Sequence, residues 1–263
     1  MAHYPDRHHP VYFLESALQA IGVNAQFAKD ERTLGCWGLI FPDFDNRVMV
    51  WLIDNRHPHE AMREDPAAKI LLKTFVIVCH AQKPDMLRVG GHWMPLAASP
   101  GFRKMDAAKT ADCAFIGYIR DEGRARLLSD IRSRYSLALM QGVFGDNAVH
   151  AYCSARVGVN VPTGYGGKTD YDSANMRCFE ILACGVPLVT SDESYLSELG
   201  LIDGETCVTY GAHRDIVEAV AIALQSPHIG TAGLELVNAR HTYTHRALQV
   251  LEWLKEPYME RAL

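Results

Sequence analysis

The chain has 263 residues, 48% hydrophobic and 22% charged, with a formal net charge of -5 at pH 7. That composition builds a sizeable core without disulfide or metal staples. The mild acidity argues against a general nucleic-acid or membrane-surface binder, whose surfaces cluster lysine and arginine.

In chain order, PVYFLESALQAIG reads as a helix stopped by Gly22, and WGLIFPD and RVMVWLID as short strands joined by a turn. HEAMREDPAAKILLK is mixed and partly helical, and FVIVCH is an apolar strand of the kind buried on both faces. KPDMLRVGG has the proline start and glycine stop of a short helix, and HWMPLAAS follows as a strand. SPGFRKMDAAKTAD breaks this rhythm, so roughly 99–111 reads as an interdomain linker. The pattern then restarts: strand DCAFIGYI, helix GRARLLSDIRSRY, strand SLALMQGV, helix NAVHAYCSAR and strand VGVNVPT. After the loop GYGGKTDYDS come helix NMRCFEILACG, strands VPLVTS and ETCVTYG, helix HRDIVEAVAIALQS, and one long helix LELVNARHTYTHRALQVLEWL.

Alternating βα units predict an α/β protein with parallel sheets covered by helices. Two such runs predict two doubly wound, Rossmann-like domains at residues 1–100 and 108–235, with 236–263 a helix crossing back to the first. Ligands in such sheets bind beyond the carboxyl ends of the strands, which places the expected site in a cleft between the domains. The first domain opens on a helix instead of a strand, so it is expected to be trimmed.

The seven cysteines include no CxxC pair, so no zinc site is expected, and their apolar surroundings read as buried reduced thiols of a cytoplasmic protein. No signal-peptide core opens the chain, and no apolar run approaches the roughly 20 residues of a membrane span.

The richest stretch is NMRCFEILACG. Ser173 or Asn175 suits its N-cap, and Phe179, Leu182 and Ala183 form a core stripe. Arg177 and Glu180, three residues apart, share a face near the helix start. Free N–H groups, the helix dipole and an arginine favour a phosphate there, and a glutamate one turn deeper suits the two hydroxyls of a ribose. The competing reading is a solvated surface pair, worth roughly a few tenths of a kcal/mol. Gly117 follows the first strand of the second domain, where a missing Cβ lets backbone approach a phosphate, with Arg120 or Arg124 reaching the same group; alternatively it simply ends the strand. Ser191, after VPLVT, can donate to a phosphate or sugar, whereas Glu198 suits a solvated face. Tyr165, Gly166 and Gly167 form a loop that either closes over a ligand or merely connects. Asp54, His57 and His80 follow strand ends in the first half and are the candidate catalytic bases, each also readable as a structural residue. His241 and His245 share a helix face at i, i+4, but no carboxylate completes a metal site, and Arg246 reads as structural. No DxD stands at a strand end, so no metal is expected.

The series N-x-R-x-F-E-x-L-A-x-G-V-P-L-V-T from Asn175, then S-E-L, G-E-T-C-V-x-Y and H-T-Y-T-H-R, resembles the spore-maturation (CgeB-type) glycosyltransferases. These belong to the GT-B class, with a C-terminal domain like that of the glycosyl transferases group 1. The resemblance covers roughly 110–255 and extends more weakly through VWLIDNRHP, MPLAAS and FIGYIRDEGR. It implies a GT-B-like fold and transfer of a sugar from a nucleotide-diphosphate sugar, UDP-linked, to an acceptor hydroxyl, with no metal or further cofactor. In this class two acidic residues separated by seven others mark the donor site, a spacing that falls on Asp172 and Glu180. Glu180 matches the ribose-binding position, and Asp172 stands where relatives carry glutamate. Arg177 matches an arginine suited to the diphosphate, and Asn175 an asparagine at the helix start. The alternatives are a nucleotide-sugar epimerase on the same fold and a non-catalytic nucleotide-sugar-binding subunit. Acceptors compatible with the reading are a protein, a glycan, a small molecule or a hydroxymethylated DNA base. The acidic charge argues mildly against DNA.

Overall fold

The computed structural model describes residues 9–27, 37–44, 47–52, 75–79, 91–162 and 174–256. The chain divides into two compact units, Met1–Leu96 with Tyr243–Leu263, and Ala97–Thr242.

The first unit opens on α1 (Pro10–Ala20), where proline at the first turn costs no hydrogen bond and Nδ1 of His9 accepts from the Val11 N–H at 3.4 Å. Val11, Leu14 and Leu18 form its buried stripe. Its sheet runs β1 (Gln26–Phe27), β2 (Trp37–Phe41), β3 (Arg47–Leu52), β4 (Phe75–Cys79), β5 (His92–Trp93) in that spatial order. The pairs β1/β2 and β2/β3 are antiparallel, whereas β3/β4 and β4/β5 are parallel. This sheet is therefore mixed. Only residues 42–46 join β2 to β3, and a parallel crossover needs a dozen or more residues. The last helix, α7 (Tyr243–Lys255), packs on α1, with the Phe13 and Tyr243 rings 5.3 Å apart. Its buried Arg246 donates from Nε to the Pro95 carbonyl at 2.7 Å and from Nη2 to the Leu96 carbonyl at 2.9 Å, the structural role expected of it.

The second unit holds a wholly parallel sheet whose strands, in spatial order, are β10 (Val208–Tyr210), β9 (Leu188–Ser191), β8 (Ala155–Val159), β6 (Ala111–Ile116) and β7 (Leu137–Met140). Its helices are α2 (Glu122–Arg132), α3 (Gly145–Cys153), α4 (Met176–Ala183), α5 (Ile216–Gln225) and α6 (His228–Arg240). The apolar strands are buried as a parallel sheet requires, and Phe115, Val157, Val159, Val189 and Val208 pack with Leu128 and Ile131 of α2 and with Ala219, Val220 and Ala223 of α5. The chain runs from β6 outward to β7, then returns to place β8 on the other side of β6. That reversal is a topological switch point, and it opens a crevice beyond the carboxyl ends of β6 and β8.

Three readings of the sequence need correction. The segment 99–111 is no free linker: Ser99 bonds to Glu180, and Nζ of Lys109 donates to the Cys153 and Ala155 carbonyls at 2.8 Å each. The helix expected over NAVHAYCSAR ends at Cys153, because buried Ala155 and Val157 are needed in the sheet. The single long C-terminal helix is two. His241 leaves helical geometry (φ -128, ψ 45), its ring stacked on Phe179 at 4.7 Å and its Nε2 2.8 Å from the Leu199 carbonyl, while Thr242 bridges to Ala98. These tertiary partners outweigh helix propensity, and His241 and His245 share no helix face.

Close approach of α6 rests on glycine. A Cβ at Gly230 would lie 2.5 Å from the Gly185 carbonyl oxygen and 2.8 Å from the Pro187 ring, and one at Gly233 would overlap Leu182. Gly230→Ala should therefore lose about 1–3 kcal/mol, read as a lower urea midpoint at unchanged slope. Among the described residues, no helix is long and apolar enough to cross a membrane. Cys113, Cys153, Cys178, Cys184 and Cys207 are buried and free, and burial pushes the thiols of Cys113 and Cys178 up to about 12 and about 11.

Candidate functional site

The site is built on the second unit, around the start of α4. Asn175 is the N-cap residue in extended geometry, but its side chain does not cap the helix. Its Nδ2 donates instead to Oδ1 of Asn160 at 3.0 Å.

Two residues on, Arg177 reaches across the switch point. Nε donates to the Ile116 carbonyl at the end of β6 at 2.7 Å, and Nη1 donates to Oδ1 of Asn160, just past β8, at 2.9 Å. The guanidinium lies 5.0 Å from the centroid of the Phe115 ring. Among the described residues Arg177 makes no ion pair, and its Nη2 has no hydrogen-bond acceptor. Gly117 makes this arrangement possible. A Cβ there would sit 2.7 Å from Nη2 of Arg177 and 3.1 Å from the Phe115 ring, so the bare backbone clears the path of the guanidinium. Gly117 serves Arg177 and does not merely end a strand.

Asn160 was not singled out from the sequence, yet it is the hub of the site. It is 2% exposed. Besides accepting from Asn175 and Arg177, it donates from Nδ2 to Thr190 Oγ1 at 3.0 Å and to Cys178 Sγ at 3.2 Å, and its carbonyl accepts from the Tyr210 hydroxyl at 3.1 Å. The available signal was one asparagine inside the apolar run VGVNVP.

Glu180 lies one turn along α4, partly buried, and Oε1 accepts a short hydrogen bond from Ser99 Oγ. Burial pushes its carboxyl up from the ordinary glutamate value, against smaller opposing effects of the Ser99 bond and the Arg177 charge. Arg177 and Glu180 are thus neither a solvated surface pair nor a direct salt bridge. Each is held by its own partner in the sheet or the 97–110 segment.

The other candidates separate. Arg124 is 5% exposed, donates from Nη1 to the Tyr118 carbonyl at 2.5 Å, and lies 5.7 Å from the Phe115 ring. Burial, and then the nearby Arg177 charge, lower its pKa. It braces the turn after Gly117. Arg120 is exposed and sits over Tyr118 at 5.4 Å. Ser191, buried at the end of β9, donates its hydroxyl proton to Glu193 Oε1 at 2.6 Å. Asp54, His57, His80, Asp172, Tyr165, Gly166 and Gly167 lie outside the described residues.

Chemically, the crevice offers a guanidinium with no ion-pair partner among the described residues and the amino end of α4 over the carboxyl ends of two parallel strands. That is a seat for an anion.

No curated protein matches the chain. Among solved structures it is similar to sucrose-phosphate synthase from Thermosynechococcus elongatus (14% identity, TM-score 0.54, 74% of this chain and 60% of that one). It is also similar to HepE from Anabaena in complex with UDP and glucose (11%, 0.52, 79% and 71%), and to TarM (10%, 0.50, 73% and 46%). The chain spans about 60% of the length of the sucrose-phosphate synthase it matches. At these identities the likeness establishes the fold, which is the Rossmann-like α/β fold of GT-B glycosyltransferases. The sequence model of the Glycosyl transferase-like family matches residues 105–252, which is more than half of the chain and includes Gly117, Asn160, Asn175, Arg177, Glu180 and Ser191. The chain belongs to the glycosyl transferase-like family.

Proposed function

We propose that this protein transfers a sugar from a nucleoside-diphosphate sugar to a hydroxyl of an acceptor. The observation that carries the reading is Arg177, a guanidinium fixed at the switch point with no carboxylate partner among the described residues. The diphosphate sits against Nη2 of Arg177 and the amino end of α4. The sugar C1–oxygen bond to the diphosphate breaks, a bond from C1 to the acceptor oxygen forms, and the acceptor proton leaves to a base. Negative charge grows on the departing diphosphate, so a preorganised cation there lowers the barrier. Glu180, one turn deeper, exchanges its Ser99 hydrogen bond for the ribose hydroxyls.

A UDP-linked donor and the CgeB-type branch follow from the N-x-R-x-F-E series, and the HepE structure holding UDP supports the former. Metal independence follows from a positive charge already in place, so activity should survive a chelator. Buried free thiols suit a reducing cytoplasm.

A thermal-shift panel of nucleoside diphosphates and their sugars tests the reading. Stabilisation by UDP and UDP-sugars is expected, about 2.7 kcal/mol at a hundredfold excess over Kd. No shift with any of them would overturn it. Gly117→Ala, which pushes a methyl against Arg177, should weaken UDP binding about tenfold by calorimetry with little change in melting temperature.

A further inference from the structure

Arg177 is anchored in an unusual way. Both of its acceptors among the described residues are neutral: the Ile116 main-chain carbonyl and the Asn160 side-chain amide. A partly buried guanidinium normally finds a carboxylate. At Asn160 an aspartate would present the same acceptor oxygen in the same place, but it would also cancel the charge. The orientation of the amide follows from its partners. Arg177 has no acceptor atom, so Oδ1 must face it, which leaves Nδ2 for Thr190 Oγ1 and Cys178 Sγ. The Asn175 amide then fills the second lone pair of Oδ1. The network is closed and aims the fork of Arg177 from one side only.

We infer that Asn160 is a positioning residue that orients the Arg177 guanidinium for a diphosphate while leaving its charge uncompensated. This rests on the donor reading above and extends it to a residue with no ligand contact of its own. Around Asn160 the groups that titrate or carry charge are Arg177, Arg124 beside it, the Cys178 thiol, which burial pushes up to about 11, Glu193 beside that thiol, the Tyr210 hydroxyl bonded to its carbonyl, and Glu180, whose carboxyl burial pushes up and which feels the Arg177 charge. Glu180 and the others are common to wild type and variants, so comparison at one pH isolates the carboxyl introduced at 160.

The experiment is UDP calorimetry on the wild-type chain, Asn160→Asp and Asn160→Ala, across a range from about pH 5 to about pH 8. Comparing each variant with wild type at the same pH removes the titration of UDP itself. Asn160→Asp should bind about 10- to 100-fold more weakly at the alkaline end, with its melting temperature held or raised by the new ion pair. The gap should narrow toward acid, because a protonated carboxyl accepts from Arg177 and donates to Thr190 as the amide does. Asn160→Ala, which removes the anchor but adds no charge, should lose affinity by a factor independent of pH. Wild-type affinity in Asn160→Ala would overturn the positioning role, as would an Asn160→Asp deficit that does not change with pH. If wild-type protein itself fails to bind UDP, the donor reading fails first, and the inference falls with it.

Discussion

Arg177→Ala should reduce UDP affinity about 10- to 100-fold and lower the rate of transfer further still. A charge-assisted contact to phosphate is worth about 1.5–3 kcal/mol in binding, and each 1.4 kcal/mol is tenfold. The rate falls further because the interaction strengthens as the diphosphate departs, and a contact made best in the transition state is lost from kcat. The fold should survive. The deletion strips a donor from the Ile116 carbonyl, but Asn160 Oδ1 keeps its bond from Asn175, so the stability cost is that of one hydrogen bond, about 1 kcal/mol. Arg177→Lys separates charge from geometry. A lysine keeps the charge, but its single ammonium lacks the planar fork that bridges the Ile116 carbonyl, Asn160 and a ligand together. Binding between wild type and Arg177→Ala is therefore expected, by calorimetry, with unchanged circular dichroism. Undiminished UDP affinity in Arg177→Ala would remove the basis of the proposed function.

The sequence disclosed the frame of this site more readily than its wiring. Continuous apolar strands such as CAFI and PLVT alternate with amphipathic helices, and this local periodicity suffices for a parallel sheet, though not for the strand order that makes the switch point. Asn175, Arg177 and Gly117 were legible because each is a residue type with a distinctive use at a helix start or strand end. What bonds to them was not legible, because those partners are distant in the chain. Ser99 meets Glu180 across 81 positions, and Ile116 meets Arg177 across 61. A polar segment such as 99–111 gives no local sign that one hydroxyl in it will satisfy a buried carboxyl. The break at His241 has the same origin. HTYTHR continues a helical pattern, and only the stacking of His241 on Phe179 and its bond to Leu199 interrupt it. The β2–β3 pair differs in kind, since the five-residue connection was already too short for a parallel crossover.

Glu180→Gln separates the chemical use of the carboxylate from its structural cost. Glutamine keeps the length of the side chain and an oxygen able to accept from Ser99, but it presents one acceptor oxygen where a carboxylate presents two, and no charge. Binding of a ribose by both hydroxyls should weaken, and transfer should fall about 100-fold. Stability should move the other way at neutral pH. Burial raises the folded-state pKa of Glu180 above its ordinary value of 4.5, so the folded protein favours the protonated form. The stability this confers is complete below the ordinary value and is lost as pH rises through the raised one. Glutamine mimics the neutral form and has nothing to lose. The melting temperatures of wild type and Glu180→Gln should therefore agree at about pH 4 and diverge toward neutrality, with the variant the more stable. A group kept charged at a cost to the fold is what a binding site demands and a structural pair does not. Melting curves that stay parallel across that range, together with unimpaired transfer, would reduce Glu180 to a partner of Ser99 and nothing more.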